Sequence, residues 1–89
     1  MTVDLRVVAR LRCPDVPIFM VAHALERITS RGLPDDDLCS TVQSPDVVRD
    51  SVSEDGIELR MKRFGAHVLV CVVLKDVRPI VLITAYYED

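Results

Sequence analysis

The chain has 89 residues, 49% of them hydrophobic, and a formal net charge of −3 at pH 7. This length predicts one domain, 1–89, with a thin core, because a chain of this size buries only about 60–65% of its unfolded surface. The mild acidity excludes indiscriminate binding to nucleic acid, so an RNA contact would need a local basic patch. The longest apolar run, Val68–Leu74, is far shorter than the roughly 18 residues of a membrane span. Asp4 and Arg6 interrupt the place of a signal-peptide core, so we expect a cytoplasmic protein that does not contact a membrane.

The first 17 residues predict a strand followed by a connection. Val3, Leu5 and Val7 alternate with charged residues, as in a strand with one buried face. Two prolines follow, and proline is not tolerated in the middle of a sheet. The next three residues, 18–20, fit either a short extended segment or a first helical turn.

The segment 18–44 predicts two helices joined by a tight turn. The apolar residues of positions 21–31 recur at helical spacing and share one side, namely Val21, Ala24, Leu25 and Ile28. Gly32 suits the left-handed position after a helix end. The second helix, roughly 35–43, begins with three aspartates, whose carboxylates favour a helix N-terminus.

The remaining segment, 45–89, changes to the two-residue period of strands. A short β-branched strand at 47–52 precedes Ile57–Arg63, where apolar and charged residues alternate as in a half-buried strand. His67–Leu74 is apolar on both faces and so should be central, and Pro79–Tyr87 is a last strand. The two middle strands are joined too closely for a parallel crossover. We therefore expect an α+β fold with two N-terminal helices packed on one face of a four- or five-stranded, mainly antiparallel sheet.

Three cysteines leave one over after any internal pairing, and no C-x-x-C pair occurs. Neither a disulfide framework nor a zinc site is indicated, and we expect no metal or other cofactor. Cys71 lies inside the apolar run and should be a small buried hydrophobe. Cys13 and Cys39 could pair only if the fold brings them together, and a reducing cytoplasm disfavours that bond.

A set of cationic and polar residues could carry chemistry. Metal-free RNA cleavage needs a group that deprotonates a 2′-hydroxyl, a proton donor for the leaving oxygen, and cations facing the phosphorane. His23, Arg27 and Arg31 lie at successive i, i+4 positions of the first helix and share a polar stripe. The predicted catalytic residues are His23, Arg27, Arg31 and Tyr86, and the predicted substrate-binding residues are Arg60, Lys62 and Thr84.

The same residues have a structural interpretation, because a polar stripe opposite an apolar one is what any amphipathic helix shows. The alternative function is therefore a non-catalytic protein-binding module, or a small dimeric protein, on the same fold. RNA chemistry requires four cations to face one cleft, namely Arg27, Arg31, Arg60 and Lys62. Scattered cations, or a carboxylate such as Glu58 neutralising the cleft, would favour the alternative. A small core and unpaired strand edges also predict a homodimer.

From His23 onward the chain resembles the domain-of-unknown-function family 4258. The family pattern is an H-A-x-x-R-x-x-x-R-G-[ILV] motif, an acidic helix start, an N-P or S-P turn, strands, and a closing [VI]-T-x-Y. These elements are present here as His23-Ala24, Arg27, Arg31-Gly32-Leu33, Asp35 to Asp37, Ser44-Pro45, and Ile83-Thr84-Ala85-Tyr86. Ala22 stands where the family has a polar helix cap, and the predicted strand at 2–11 lies outside the pattern. The resemblance implies a RelE-like toxin fold, a metal-independent ribonuclease or RNA-binding activity, and an antitoxin-like partner protein.

Overall fold

A computed structural model describes residues 5–14 and 16–88. The described residues form one mixed sheet with two helices: β1 (Val7–Leu11), β2 (Ile18–Val21), α1 (Ala22–Arg31), α2 (Asp35–Gln43), β3 (Val47–Asp50), β4 (Ile57–Phe64), β5 (His67–Leu74) and β6 (Ile80–Glu88). The strands lie in the order β1-β2-β6-β5-β4-β3. β2 runs parallel to β6, and the other neighbouring strands are antiparallel.

The α+β class and the antiparallel pairing of β4 with β5 are confirmed. The prediction of four or five strands is wrong, because β2 adds a sixth strand and a parallel pairing. Residues 18–20, which the sequence left undecided, are extended and belong to β2. Ile18 and Met20 are buried in the core. The helices therefore begin at Ala22 and follow two strands. The predicted first strand falls partly on Val3, which lies outside the described residues.

The turn between the helices follows the sequence prediction. Gly32 has φ 61°, and its N–H donates to the carbonyl oxygen of Thr29. The N–H of Leu33 donates to the carbonyl oxygen of Ile28, and the Leu33 side chain is buried. This bonding satisfies carbonyls that a helix end leaves unpaired. Leu25, predicted on the buried side of α1, is instead 38% exposed.

A disulfide joins Cys13 to Cys39, with 5.7 Å between their Cα atoms. The sequence left open whether these cysteines meet, and the expectation that a bond between them is disfavoured is wrong, because Cys13 lies beside α2. Disulfides persist mainly in oxidising compartments, so this bond does not support the predicted cytoplasmic location. Within the described residues, neither helix has the length and apolarity that crossing a membrane requires. Cys71 is a free, fully buried thiol, as predicted.

Both helices pack on the same face of the sheet, which we call the covered face. Their buried residues, Ala24 and Ile28 of α1 and Leu38 and Val42 of α2, belong to one apolar cluster with alternate residues of β5. The β5 members of this cluster are Leu69, Cys71 and Val73. Because successive side chains of a strand point to opposite faces, the even-numbered residues of β5 face the other way. That second face, on which no described helix packs, is called the open face.

Strand β4 is oriented oppositely to the prediction. Arg60 and Lys62 pair with Cys71 and Leu69 in the β4–β5 register, so they lie on the covered face. The Arg60 Nη1 donates to the Val42 carbonyl oxygen at 2.6 Å, and the Lys62 Nζ donates to the Ser40 hydroxyl at 2.7 Å. Long apolar stems let such cations reach past a core to polar groups. The apolar residues of β4 consequently lie on the open face, namely Ile57, Leu59 and Met61.

Candidate functional site

Helix α1 lies beside a segment of β6 that pairs with no described strand on that side. β2 pairs with β6 only from Ile80 to Leu82, and the chain enters α1 directly after Val21. The helix thus continues where the short strand ended, and it contacts β6. The polar stripe of α1 (His23, Arg27 and Arg31) lies along the edge of the helix next to β6. Although the stripe faces away from the core, it therefore still lies beside residues of the last strand.

The stripe and the strand enclose a cavity that we call the polar hollow. Its volume is about 290 Å³, and it is lined by His23, Arg27, Arg31, Thr84, Ala85 and Tyr86. Five of the seven residues predicted for the site therefore lie together. Among the described residues, no carboxylate lines this hollow. The arrangement presents two guanidinium groups, an imidazole and two hydroxyls to one small volume, which suits an anionic ligand.

The nitrogen-bearing side chains of the polar hollow have no polar partner within the described part of the chain. No hydrogen bond or ion pair within residues 5–14 and 16–88 engages the side chain of His23, Arg27 or Arg31, in contrast to the cations of β4. The Ser30 hydroxyl donates only to the main-chain oxygen of Arg27, at 3.3 Å. His23 and Arg27 are half-buried, and Arg31 is exposed. These donors are accordingly available to a ligand.

Arg60 and Lys62, the other two predicted cations, do not reach the polar hollow. Arg60 Nε donates to Glu58 Oε1 at 2.8 Å, in addition to its bond with the Val42 carbonyl. It lines a different cavity of about 350 Å³, next to Asp76 and Arg78. The four cations therefore do not face one cleft, and Glu58 neutralises Arg60, as the protein-binding alternative expects.

The thiol of Cys71 lies beside Arg60 under the helices. Burial raises the pKa of Cys71 to about 12, and the nearby Arg60 guanidinium lowers that pKa in part. Arg60 lies on the same, covered face as Cys71, its partner across the strands. Arg60 therefore acts as a structural cation under α2.

A second cavity, the apolar hollow, adjoins the polar one on the open face. It has a volume of about 530 Å³ and an apolar wall with a polar rim, and is lined by Leu5, His23, Ser51, Ser53, Glu54, Asp55, Ile57, Leu59, Val72, Leu74, Ile83 and Thr84. His23 and Thr84 border both hollows. Sequence reasoning missed this surface because it assigned the apolar row of β4 to the core.

The described residues contain no group of three His, Cys, Asp or Glu side chains that could hold a metal ion. The acidic start of α2, Asp35–Asp37, lies in the first helical turn, where carboxylates favourably face the helix dipole. The nitrogen donors of the polar hollow include two guanidinium groups, which bind anions and not metal cations.

The profile of the family described as "Domain of unknown function (DUF4258)" matches residues 20–87. The chain belongs to this family. The DUF4258 match runs from β2 into β6 and includes every residue that lines the polar hollow, whereas β1 lies outside it. No curated protein and no solved structure matches the chain.

Proposed function

We propose that this DUF4258 domain binds single-stranded RNA at the polar hollow and cleaves it without a metal ion, as a RelE-like, toxin-type ribonuclease. The observation that carries the proposal is the joint presence of His23, Arg27, Arg31, Thr84 and Tyr86 in one hollow. Because the whole chain is mildly acidic, only a local cluster of free cations could attract a phosphate backbone. Arg27 and Arg31 supply such a cluster by themselves, so in this proposal two cations, and not the four that the sequence analysis required, contact the phosphates.

The chemistry follows from the side chains at the hollow. The ribose 2′-oxygen attacks the adjacent phosphorus, a 2′-O–P bond forms, and the P–O5′ bond breaks. One group accepts the 2′-hydroxyl proton and another gives a proton to the departing 5′-oxygen, which leaves a 2′,3′-cyclic phosphate and a 5′-hydroxyl. His23 is the acid or base of this scheme, and the Tyr86 hydroxyl is the other proton-carrying group. The two guanidinium groups stabilise charge on the phosphorane, while Thr84 positions the nucleotide.

The substrate is single-stranded because the hollow is a small recess and not a long groove. Unpaired nucleotides can turn their bases and ribose 2′-hydroxyls towards such a recess. An RNA substrate implies a cytoplasmic site of action, where the Cys13–Cys39 disulfide would have to resist reduction. An antitoxin-like protein that covers the polar hollow would inhibit the activity directly.

The test combines binding and cleavage of a fluorescent single-stranded RNA in the presence of a chelator. We expect the wild type to bind the RNA and to release fragments ending in cyclic phosphate. Arg27→Ala/Arg31→Ala should weaken binding by about tenfold or more, since hydrogen bonds to charged groups contribute about 1.5–3 kcal/mol each. Arg10→Ala/Arg12→Ala is the matched control, because it removes the same charge from exposed arginines outside the hollow. Equal binding by both double variants would refute the proposed site.

A non-catalytic protein-binding module is the second candidate. It is favoured by the position of Arg60 and Lys62 on the covered face and by the apolar row that β4 leaves on the open face. The two candidates differ in the same assay. RNA that remains unbound and intact at high protein concentration would leave the protein-binding function standing and exclude the ribonuclease.

A further inference from the structure

The apolar hollow and the polar hollow share a border. His23 of α1 and Thr84 of β6 line both of them. The apolar hollow has a volume of about 530 Å³ and the polar hollow a volume of about 290 Å³. Because ligand pockets usually have volumes of about 300–1,000 Å³, the polar hollow alone is small for a nucleotide, and the two hollows together are not. A ligand whose phosphate enters the polar hollow can therefore extend past His23 into the apolar hollow.

A β-bulge shapes this border. Val72 of β5 pairs with Thr84. The next residue of β5, Val73, pairs with Leu82, so Ile83 is an extra residue in β6. Bulges redirect side chains and are common next to active sites. Ile83 lines the apolar hollow and Thr84 lines both hollows, so the bulge places an apolar side chain and a hydroxyl next to each other where the hollows meet.

The wall of the apolar hollow is recessed. Leu59 and Val72 are half-buried, and Ile83 is only 5% exposed. A concave site with an apolar wall and a few polar groups is typical of pockets for small ligands. A nucleobase is flat and presents a π-face on each side, and an unpaired base is free to turn into such a recess. The wall therefore suits a single base.

The rim of the apolar hollow carries two carboxylates on a bonded loop. Glu54 and Asp55 belong to the loop between β3 and β4. The main-chain N–H of Ser51 donates to the carbonyl oxygen of Ile57 at 2.9 Å, and the Ser51 hydroxyl accepts from the main-chain N–H of Glu54 at 3.3 Å. Within the part of the chain that the structure describes, no hydrogen bond or ion pair engages either carboxylate. Their oxygens are accordingly available to a ligand.

We infer that the apolar hollow holds the base of the nucleotide whose phosphate lies in the polar hollow, and that this base is guanine. The inference rests on the proposed RNA function and adds its base preference. Carboxylate oxygens only accept hydrogen bonds. The Watson–Crick edge of guanine presents two adjacent donors, N1–H and the N2 amino group, to such a pair of acceptors. In adenine, cytosine and uracil the group next to each donor is an acceptor, which a carboxylate repels.

The charges favour one orientation of the nucleotide. Arg27 and Arg31 line the polar hollow, and their guanidinium groups attract the phosphate. Among the residues that the structure describes, no arginine or lysine lines the apolar hollow, and the two carboxylates at its rim repel a phosphate. The phosphate therefore lies on one side of His23 and the base on the other, with the ribose between them beside Thr84.

The first experiment measures the affinity of the full chain for short RNA strands by fluorescence anisotropy. The strands are nine uridines long, with uracil, guanine, adenine or cytosine at the central position, and 2′-fluorine replaces each 2′-hydroxyl so that no strand is cleaved. We expect the guanine strand to bind about tenfold more tightly than the other three, the usual discrimination of a bidentate contact to a base.

The outcomes separate this inference from the proposed function. A guanine strand that binds no more tightly than the uridine strand would overturn the base preference. If Arg27→Ala/Arg31→Ala still weakened the binding of both strands, the phosphate site in the polar hollow would stand without it. Strands that all remain unbound would overturn the base preference and the RNA function together.

The second experiment tests whether the rim carries the preference. Glu54→Gln/Asp55→Asn keeps the size of both side chains and should reduce the preference for guanine to less than about threefold, because an amide offers one acceptor in place of two. Asp35→Asn/Asp36→Asn is the matched control, since it removes the same charge from exposed aspartates at the start of α2, outside both hollows. The readout is the ratio of two affinities, in which a general effect of net charge cancels. A preference that survives in the rim variant, or that the control also loses, would contradict the inference.

Discussion

Two pairs of cations on this molecule look alike in sequence and differ in their surroundings. Arg27 and Arg31 recur along one helix, and Arg60 and Lys62 alternate along one strand. The first pair has no hydrogen bond or ion pair from its side chains within the described residues and lines the polar hollow. The second pair is bonded to the protein itself. Whether a cation is available to a ligand therefore depends on the neighbours that the fold supplies, which the spacing of residues along the sequence does not reveal.

The largest expected effect is on the rate of RNA cleavage when His23 of the polar hollow is replaced. His23→Ala should reduce RNA cleavage by about 10²–10⁴-fold, the usual contribution of a general acid or base. The fold should persist, because His23 lies off the apolar side of α1 and is only half-buried. His67→Ala is the control, since the other histidine lies at the start of β5, outside the polar hollow. Unfolding of the His23 variant would indicate a structural histidine and contradict its assigned role.

The Cys13–Cys39 disulfide separates the two pairs of cations experimentally, because it is attached to α2, which contacts the β4 pair, and not to α1, which carries the other pair. Cys13 and Cys39 are 26 positions apart, and closing such a loop stabilises a fold by about 3.5 kcal/mol in the chain-entropy account. Cys13→Ala/Cys39→Ala should lower the free energy of unfolding by about this amount in urea denaturation. RNA affinity at the polar hollow should change less than twofold. If affinity fell while stability held, the hollow would depend on α2, contrary to the comparison.

The bonded pair predicts a smaller effect on stability. Arg60→Ala should lower the free energy of unfolding by about 1–3 kcal/mol, because it leaves Glu58 and the Val42 carbonyl without their donor. Arg63→Ala, at an exposed position of the same strand, should change it by less than about 0.5 kcal/mol. Thermal or urea unfolding measures both. Equal stability of the two variants would mean that Arg60 is not a structural cation.

The smallest effect concerns pH. Burial raises the pKa of Cys71 from 9.0 to about 12, so the folded chain holds this proton more tightly than the unfolded chain. The resulting stability is fully present below pH 9 and is lost as pH rises from 9 towards 12. Between pH 9 and 10 the wild type should lose about 1 kcal/mol more than Cys71→Ala. Parallel pH dependences would show that the thiol is not buried among the covered-face residues.

Elements with one strong periodic signal were predicted well. The bounds of α2 and β5 match the sequence prediction, because an acidic start and a long two-sided apolar run allow few alternatives. The strand β2 was left undecided, since four apolar residues suit a helical turn as well as a strand. The sixth strand and the parallel pairing followed from that one segment.

The candidate site was predicted only in part, because a local pattern shows which residues share a face but does not show what that face contacts. Helical spacing placed His23, Arg27 and Arg31 on one stripe, and the fold brought them to Thr84 and Tyr86. Alternation along β4 separates two faces without saying which one the helices cover. Arg60 and Lys62 were therefore assigned to the wrong face. The disulfide depends on contact between distant segments, and no local pattern of the sequence encodes it.

In the proposed function, Arg27 and Arg31 of α1 would bind RNA phosphates, and the bonded Arg60 and Lys62 of β4 would not. The most direct measurement is the salt dependence of RNA affinity by fluorescence anisotropy. Each phosphate contact on a single strand contributes about −0.7 to the slope of log K against log salt. Arg27→Ala/Arg31→Ala should make the slope less steep by about 1.4, while Arg60→Gln/Lys62→Gln should leave it unchanged. A slope altered by the β4 variant and unaffected by the α1 variant would contradict the account.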